Sequence, residues 1–284
     1  MGKIDLDWKR MFKKSFLEIN GQKVAVAICG KGKPFLMLHG WGGSKESWEP
    51  LMEKLNALGF WNENLGIAVD FPGFGESAEP LTAWSVGDYA HFTEDVIRAI
   101  YKEMNLSGDY NLMVHSFGGR VALKMLAPDF ATNISEKVDK LILVAAAGVK
   151  ARRTLRIKVA SAAARLGKKV MQLPGLRAGA PLAQKILYKV LKTHDYEKSS
   201  GVMRETFLKV IDEDLSESLS HIKNPTLIIW GKRDSYVPFS DALLMEKKIL
   251  GSKLIAIPGG RHGIHKTHAE DLAKWIKEFL TDSK

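Results

Sequence analysis

Short, continuously apolar runs alternate with amphipathic stretches along most of this chain, and no other feature of the sequence constrains its fold as strongly. Pro34–Leu38, Leu65–Val69, Asn111–Val114, Lys140–Val144, Pro225–Trp230 and Lys253–Ile257 are of buried-strand length. Between them, Glu46–Leu58, Val86–Met104, Gly118–Leu126, Asp241–Ile249 and His268–Leu280 carry helical spacing. In the first, Trp48, Leu51, Met52, Leu55 and Leu58 fall on one face. Strands that are apolar on both sides need helices over both faces, which predicts an α/β fold built on a mostly parallel sheet. Ser15–Asn20 and Lys23–Cys29 meet at Asn20-Gly21, a hairpin signal that adds an antiparallel edge.

The alternation breaks between about Val149 and His221, where Ala, Leu, Lys and Arg dominate and no strand pattern stands out. The expected organisation is therefore a core of residues 1–148 and 222–284 with a helical insertion, residues 149–221. Thirteen Lys or Arg lie between Lys150 and Lys198, opposed only by Asp195 and Glu197. The net charge of +10 thus resides in this one segment. Val159, Ala163, Leu166 and Val170 form an apolar stripe beside Arg152, Arg153, Arg156, Lys168 and Lys169. A solvated helix packing its stripe on the core accounts for that pattern, with weak attraction to anionic surfaces as the alternative. No nucleic-acid-binding motif is present.

No apolar run approaches the roughly 20 residues a bilayer span requires, and the opening Met1–Asp7 carries charge where a secretory leader would be apolar. The single cysteine, Cys29, lies in a strand-like run and reads as a buried structural thiol. A lone cysteine fits a reducing, cytoplasmic compartment and offers no zinc-ligand spacing. No metal and no cofactor is expected.

Chemistry concentrates where the predicted strands end. Val114-His115-Ser116-Phe117-Gly118-Gly119 joins an apolar strand to a helical pattern, so Ser116 sits on a strand-to-helix turn. Such a turn exposes a hydroxyl, and the helix start behind it favours developing negative charge. A serine there can also be a plain helix cap. A hydroxyl nucleophile needs a base and an acid that orients the base. Asp234 follows the strand Thr226–Trp230 and His262 follows Lys253–Ile257, both at the edge where open parallel sheets bind ligands. His265 and His268 compete with His262 but lie on the approach to the last helix. Asp241 opens a helix and reads as a surface acid; Asp70, before a Pro-Gly turn, reads as a loop-fixing residue. His91, His194 and His221 lie away from strand ends and read as surface or satisfied histidines.

Preorganised amides must hold the oxyanion of an acyl-transfer reaction. Phe117 is one expected donor, and Trp41, in the glycine-rich loop after Pro34–Leu38, is the other. His39, Gly40 and His115 are expected to line the substrate pocket.

His39-Gly40-Trp41-Gly42-Gly43, Asp70-Phe71-Pro72-Gly73-Phe74-Gly75-Glu76-Ser77, His115-Ser116-Phe117-Gly118-Gly119, Trp230-Gly231-Lys232-Arg233-Asp234 and the His262 segment together resemble the α/β-hydrolase superfamily. The resemblance implies an eight-stranded sheet, a helical cap and cofactor-free hydrolysis. It also matches the order Ser116, Asp234, His262 to nucleophile, acid and base, with Val114 where the usual motif has glycine. A serine esterase acting on a small-molecule ester is the expected function. A carbon–carbon bond hydrolase is an alternative, although such enzymes carry Asn-Ser-Met and a histidine-flanking tryptophan where this chain has His115-Ser116-Phe117 and His262-Gly263. A ligand receptor on the same fold is another.

Overall fold

The computed structural model describes residues 12–149 and 201–282. Eight strands form one sheet: β1 (Lys13–Ile19), β2 (Gln22–Gly30), β3 (Lys33–Leu38), β4 (Asn64–Val69), β5 (Tyr110–His115), β6 (Val138–Val144), β7 (Thr226–Gly231) and β8 (Lys253–Ile257). Their order is β1-β2-β4-β3-β5-β6-β7-β8. β1, β2 and β4 pair antiparallel, and every pairing from β4 through β8 is parallel. The hairpin forms as its sequence dictates, with Ile19 opposite Gln22 and both turn residues at positive φ, Asn20 at 51° and Gly21 at 76°.

The described helices are α1 (Glu49–Ala57), α2 (Val86–Glu103), α3 (Phe117–Met125), α4 (Gly201–Asp212), α5 (Phe239–Lys248), α6 (Ile264–Thr267) and α7 (Ala269–Thr281). They divide the core in two. Leu36, Leu112, Val114, Leu141, Leu143 and Ile228 pack towards α2 and α3. Their strand neighbours Met37, Met113, Ile142 and Ile229 pack towards α1 and α7. The period-2 pleat thus sends successive side chains into opposite cores, which is why these strands are apolar without interruption. Each fully buried aliphatic side chain contributes about 1.5–3 kcal/mol, so six such central residues on one face dominate its cohesion.

Two helices differ from expectation at the backbone. The first pattern divides into a 3₁₀ turn, Lys45–Trp48, followed by α1, because Pro50 has no N–H and is accepted only in a helix's first turn. The last pattern, His268–Leu280, forms as α7, and the short α6 before it is an addition, set apart from α7 by His268 at φ −126°. No described helix is long and apolar enough to cross a membrane. Of the expected insertion, only Val149, α4 and the residues after it are described. The apolar stripe and basic cluster between Arg152 and Val170, with His194, lie outside the described residues.

Candidate active site

β5 is flanked on both sides, by β3 and β6, and ends at His115. The next residue, Ser116, takes φ 50° and ψ −112°, a strained conformation for a residue with a Cβ. Neighbouring backbone imposes it: the Ser116 amide donates to Val144 O at 3.3 Å, and Ser116 O accepts from Gly119 N at 2.9 Å and Ala147 N at 2.8 Å. The glycines that follow are steric requirements. A Cβ on Gly118 would lie 2.5 Å from Leu38 O, and one on Gly119 2.5 Å from the Ala146 Cβ. Val114, standing at the usual motif glycine, lies inside β5 opposite Leu38 and Leu143 and is fully buried, so the elbow forms without that glycine.

The structure brings Ser116, His262 and Asp234 into one hydrogen-bonded chain. Ser116 Oγ is 2.9 Å from His262 Nε2, and His262 Nδ1 is 2.7 Å from Asp234 Oδ2. A carboxylate only accepts, so Nδ1 carries the proton and Nε2 is free to accept from the serine hydroxyl. The Asp234 side chain is fully buried. Its other oxygen accepts from Tyr236 N at 2.8 Å and Val237 N at 2.9 Å, which locks the carboxylate in place. Two glycines dock the loops that carry Asp234 and His262: a Cβ on Gly231 would stand 2.3 Å from Gly260 O. Arg233 N donates to that same carbonyl at 2.9 Å. The exposed Tyr236 ring stacks on His262, with centroids 5.1 Å apart, a neighbour that strand-end reasoning does not reveal.

The loop after β3 carries the other expected residues. Gly40 borders the serine directly, since a Cβ there would sit 3.0 Å from Ser116 Cβ. The Trp41 and Phe117 amides donate to no backbone acceptor among the described residues. For Phe117 this follows from its position as first residue of α3. The Trp41 indole packs edge-on against Phe74, Phe117 and Phe207 at 4.9–5.3 Å.

His39 departs from the pocket role expected of it. It is completely buried; Phe71 N donates to its Nε2 at 3.0 Å, and its Nδ1–H donates to Gly40 O at 2.8 Å. Both ring nitrogens are therefore spent on backbone, and burial pushes its pKa down. His39 shapes the loop from beneath. His115 is likewise buried, behind the serine, with its Nε2 3.1 Å from His262 O.

Asp70 does fix its loop, through a partner that sequence reasoning missed. Its Oδ1 accepts from Lys45 N at 2.6 Å, and its Oδ2 accepts from Lys45 Nζ and Glu76 N, both at 2.8 Å. Lys45 is buried to 1% side-chain exposure and also bridges Glu46 and Glu76. A lysine in a polar turn normally reads as solvated, so only the fold reveals this clamp. Burial alone would raise Glu46, but hydrogen bonds with Lys45, Ser44 and Lys14 outweigh it and bring its pKa down to about 2.

Asp241 corrects another expectation. It is buried, not a surface acid, and burial is the main cause of its pKa rising to about 6. Cys29 is buried as expected, its pKa pushed up to about 12. His268 bonds Thr267, and His91 is exposed beside Glu94. His221 contacts Glu217 O. His265 is buried against His115 and Trp48, and burial, followed by Lys266 and His262, pushes its pKa down to about 3.

A measurable pH dependence follows from His265. Its folded pKa lies below the unfolded value of about 6.5, so the unfolded chain binds the proton first as pH falls. Its contribution is present above about pH 6.5 and is lost progressively towards pH 3. Thermal melts from pH 7.5 to 4 should show His265→Phe losing Tm less steeply than the parent. Parallel curves would refute this account.

The alpha/beta hydrolase family profile matches residues 35–275. The AB hydrolase superfamily protein YisY of Bacillus subtilis is 29% identical over 273 residues, covering 89% of this chain and 94% of that protein. The pimeloyl-[acyl-carrier protein] methyl ester esterase of Aliivibrio salmonicida is 26% identical over 265 residues, covering 88% and 93%. Among solved structures, an esterase from Exiguobacterium antarcticum superposes with a TM-score of 0.68 at 25% identity, covering 95% of this chain and all of that one. With a family match over most of its length, on a sheet of the topology described above, this chain belongs to the alpha/beta hydrolase family.

Proposed function

We propose that the protein hydrolyses carboxylic esters through an acyl-enzyme on Ser116. The hydrogen-bonded chain from Asp234 through His262 to Ser116 Oγ carries this reading. In the first step His262 Nε2 takes the hydroxyl proton while Oγ attacks the ester carbonyl carbon. Asp234 stabilises the imidazolium and holds its tautomer. The Trp41 and Phe117 amides receive the oxyanion, each such donor being worth about 10²–10³ in kcat. Collapse of the tetrahedral adduct expels the alcohol, which takes the proton from His262. Water, deprotonated by the same nitrogen, then attacks the acyl carbon; the bond to Oγ breaks, Oγ takes the proton back from His262, and the carboxylic acid leaves.

Trp41 and Phe74, half-buried beside the serine, are the aromatic surfaces against which an acyl group packs in this reading. Small to medium acyl chains are the proposed substrates.

A fluorophosphonate reacts only with an activated serine, so one equivalent should attach to the Ser116 peptide and abolish hydrolysis of p-nitrophenyl acetate and butyrate. Ester turnover that persists in the fully phosphonylated protein overturns the proposal. So does a panel in which no ester is turned over while a 2-hydroxy-6-oxo-dienoate is cleaved at carbon–carbon.

A further inference from the structure

We propose that His115 is a positioning residue for the active site, holding the nucleophile elbow, the glycine loop and the base loop in mutual register through one buried imidazole. The inference rests on the esterase reading above and adds a residue that the reading does not use.

Three contacts support it. His115 is joined covalently to Ser116, so its backbone is the last of β5 before the strained turn. Its Nε2 lies 3.1 Å from the main-chain carbonyl of His262, an oxygen that can only accept. His115 is therefore the donor, in its neutral Nε2–H form. On the other side of the ring, a Cβ on Gly40 would come within 2.9 Å of His115 Nδ1, so the glycine loop rests directly on the imidazole.

The ring sits in a stack of other rings. Its centroid is 4.7 Å from that of His262 and 4.0 Å from that of His265, with Trp48 at 6.4 Å. A cation here would oppose the charge that His262 acquires during turnover. Burial, reinforced by His265 and His262, holds His115 well below the usual histidine range and keeps it neutral. A neutral donor can brace the base loop without raising the barrier to imidazolium formation.

The physical consequence concerns geometry alone. The His262 ring is aimed by χ1 and χ2 from a backbone that His115 tethers. Without the tether, the Nε2 to Oγ separation of 2.9 Å depends on the Asp234 contact and on Tyr236 stacking. Displacements on the order of 1 Å in such a chain cost about 10²-fold in rate.

The test compares His115→Leu, which fills the space but cannot donate, with His115→Gln, whose side-chain amide reaches the same carbonyl. His115→Asn, which is too short to reach, serves as a second donor-deficient variant should the leucine variant fail to fold. Thermal melts establish folding. With p-nitrophenyl butyrate, the donor-deficient variant should lose kcat at least 10-fold with KM within 3-fold of the parent, and glutamine should restore most of it. Unchanged kcat in the donor-deficient variant, or equal losses with glutamine, overturns the proposal.

A second readout stands apart from turnover: the downfield proton resonance of the His262 Nδ1–H to Asp234 hydrogen bond. It should broaden or disappear in the donor-deficient variant and persist with glutamine, and persistence in both overturns the proposal. If Ser116→Ala retains the parent's ester turnover, the esterase reading fails by that result, and the resonance alone then decides the role of His115.

Discussion

Alanine at position 116 is expected to lower kcat for p-nitrophenyl butyrate by about 10⁴–10⁶ while KM changes little. The Cβ and the strained backbone remain, so the turn, the glycine packing against Leu38 O and the amides of Trp41 and Phe117 stay in place. Only Oγ is lost, and with it the atom 2.9 Å from His262 Nε2. Ground-state contacts to the ester survive, which is why the loss appears in kcat. The oxyanion amides still stabilise attack by water, so a residual rate above background remains. Steady-state kinetics on protein freed of parent enzyme by fluorophosphonate treatment provide the measurement. Residual activity within 100-fold of the parent would remove Ser116 as nucleophile.

The second large effect is on stability and comes from the buried clamp. Asp70→Asn keeps an oxygen for the Lys45 amide but leaves the Lys45 ammonium, at 1% exposure, without its fully buried counter-charge. Breaking one side of a buried pair costs about 3–5 kcal/mol. For a chain of this size that corresponds to a fall in Tm of roughly 5–8 °C. Lys45→Met in the same background removes an ammonium left only with the partly exposed Glu46 and Glu76, and should recover part of the loss, a coupling of about 0.5–3 kcal/mol. Denaturant melts of the two single variants and the double variant measure it. Strictly additive losses, or a single-site loss under about 1 kcal/mol, would show that the clamp contributes little. The same clamp ties Lys45, two residues after the glycine loop, to the turn at Glu76, so the Asp70 variant should also lose activity.

The candidate site was legible in the sequence to an uneven degree. Ser116, Asp234 and His262 could be found because each follows an apolar run, and a parallel sheet brings the carboxyl ends of its strands to one edge. Gly231 and Gly260 carried a fainter signal: glycines at two strand ends suggest close backbone approach, yet nothing in the sequence pairs one with the other. Tyr236, Lys45 and the tether from His115 carried no signal, since each depends on a contact across distant elements. Residue type and local position point His39 to the substrate pocket and Asp241 to the surface, and both side chains are buried instead. The first sits under its own loop with both ring nitrogens bonded to backbone, and the second is buried in the first turn of α5.

The sequence by itself determined the sheet, the hairpin edge and the placing of Ser116, Asp234 and His262 just after three strands. These follow from periodicity and turn chemistry, which are local properties that each segment carries wherever it is placed. Tertiary structure alone decided that Nδ1 of His262 faces Asp234, that Lys45 is buried against Asp70, and that the His115 ring meets the main chain of His262. Those outcomes depend on the register of β5, β7 and β8 and on how closely glycines let their loops approach. Ångström-scale separations of that kind are set by packing among side chains far apart in the chain, and no spacing along the sequence encodes them.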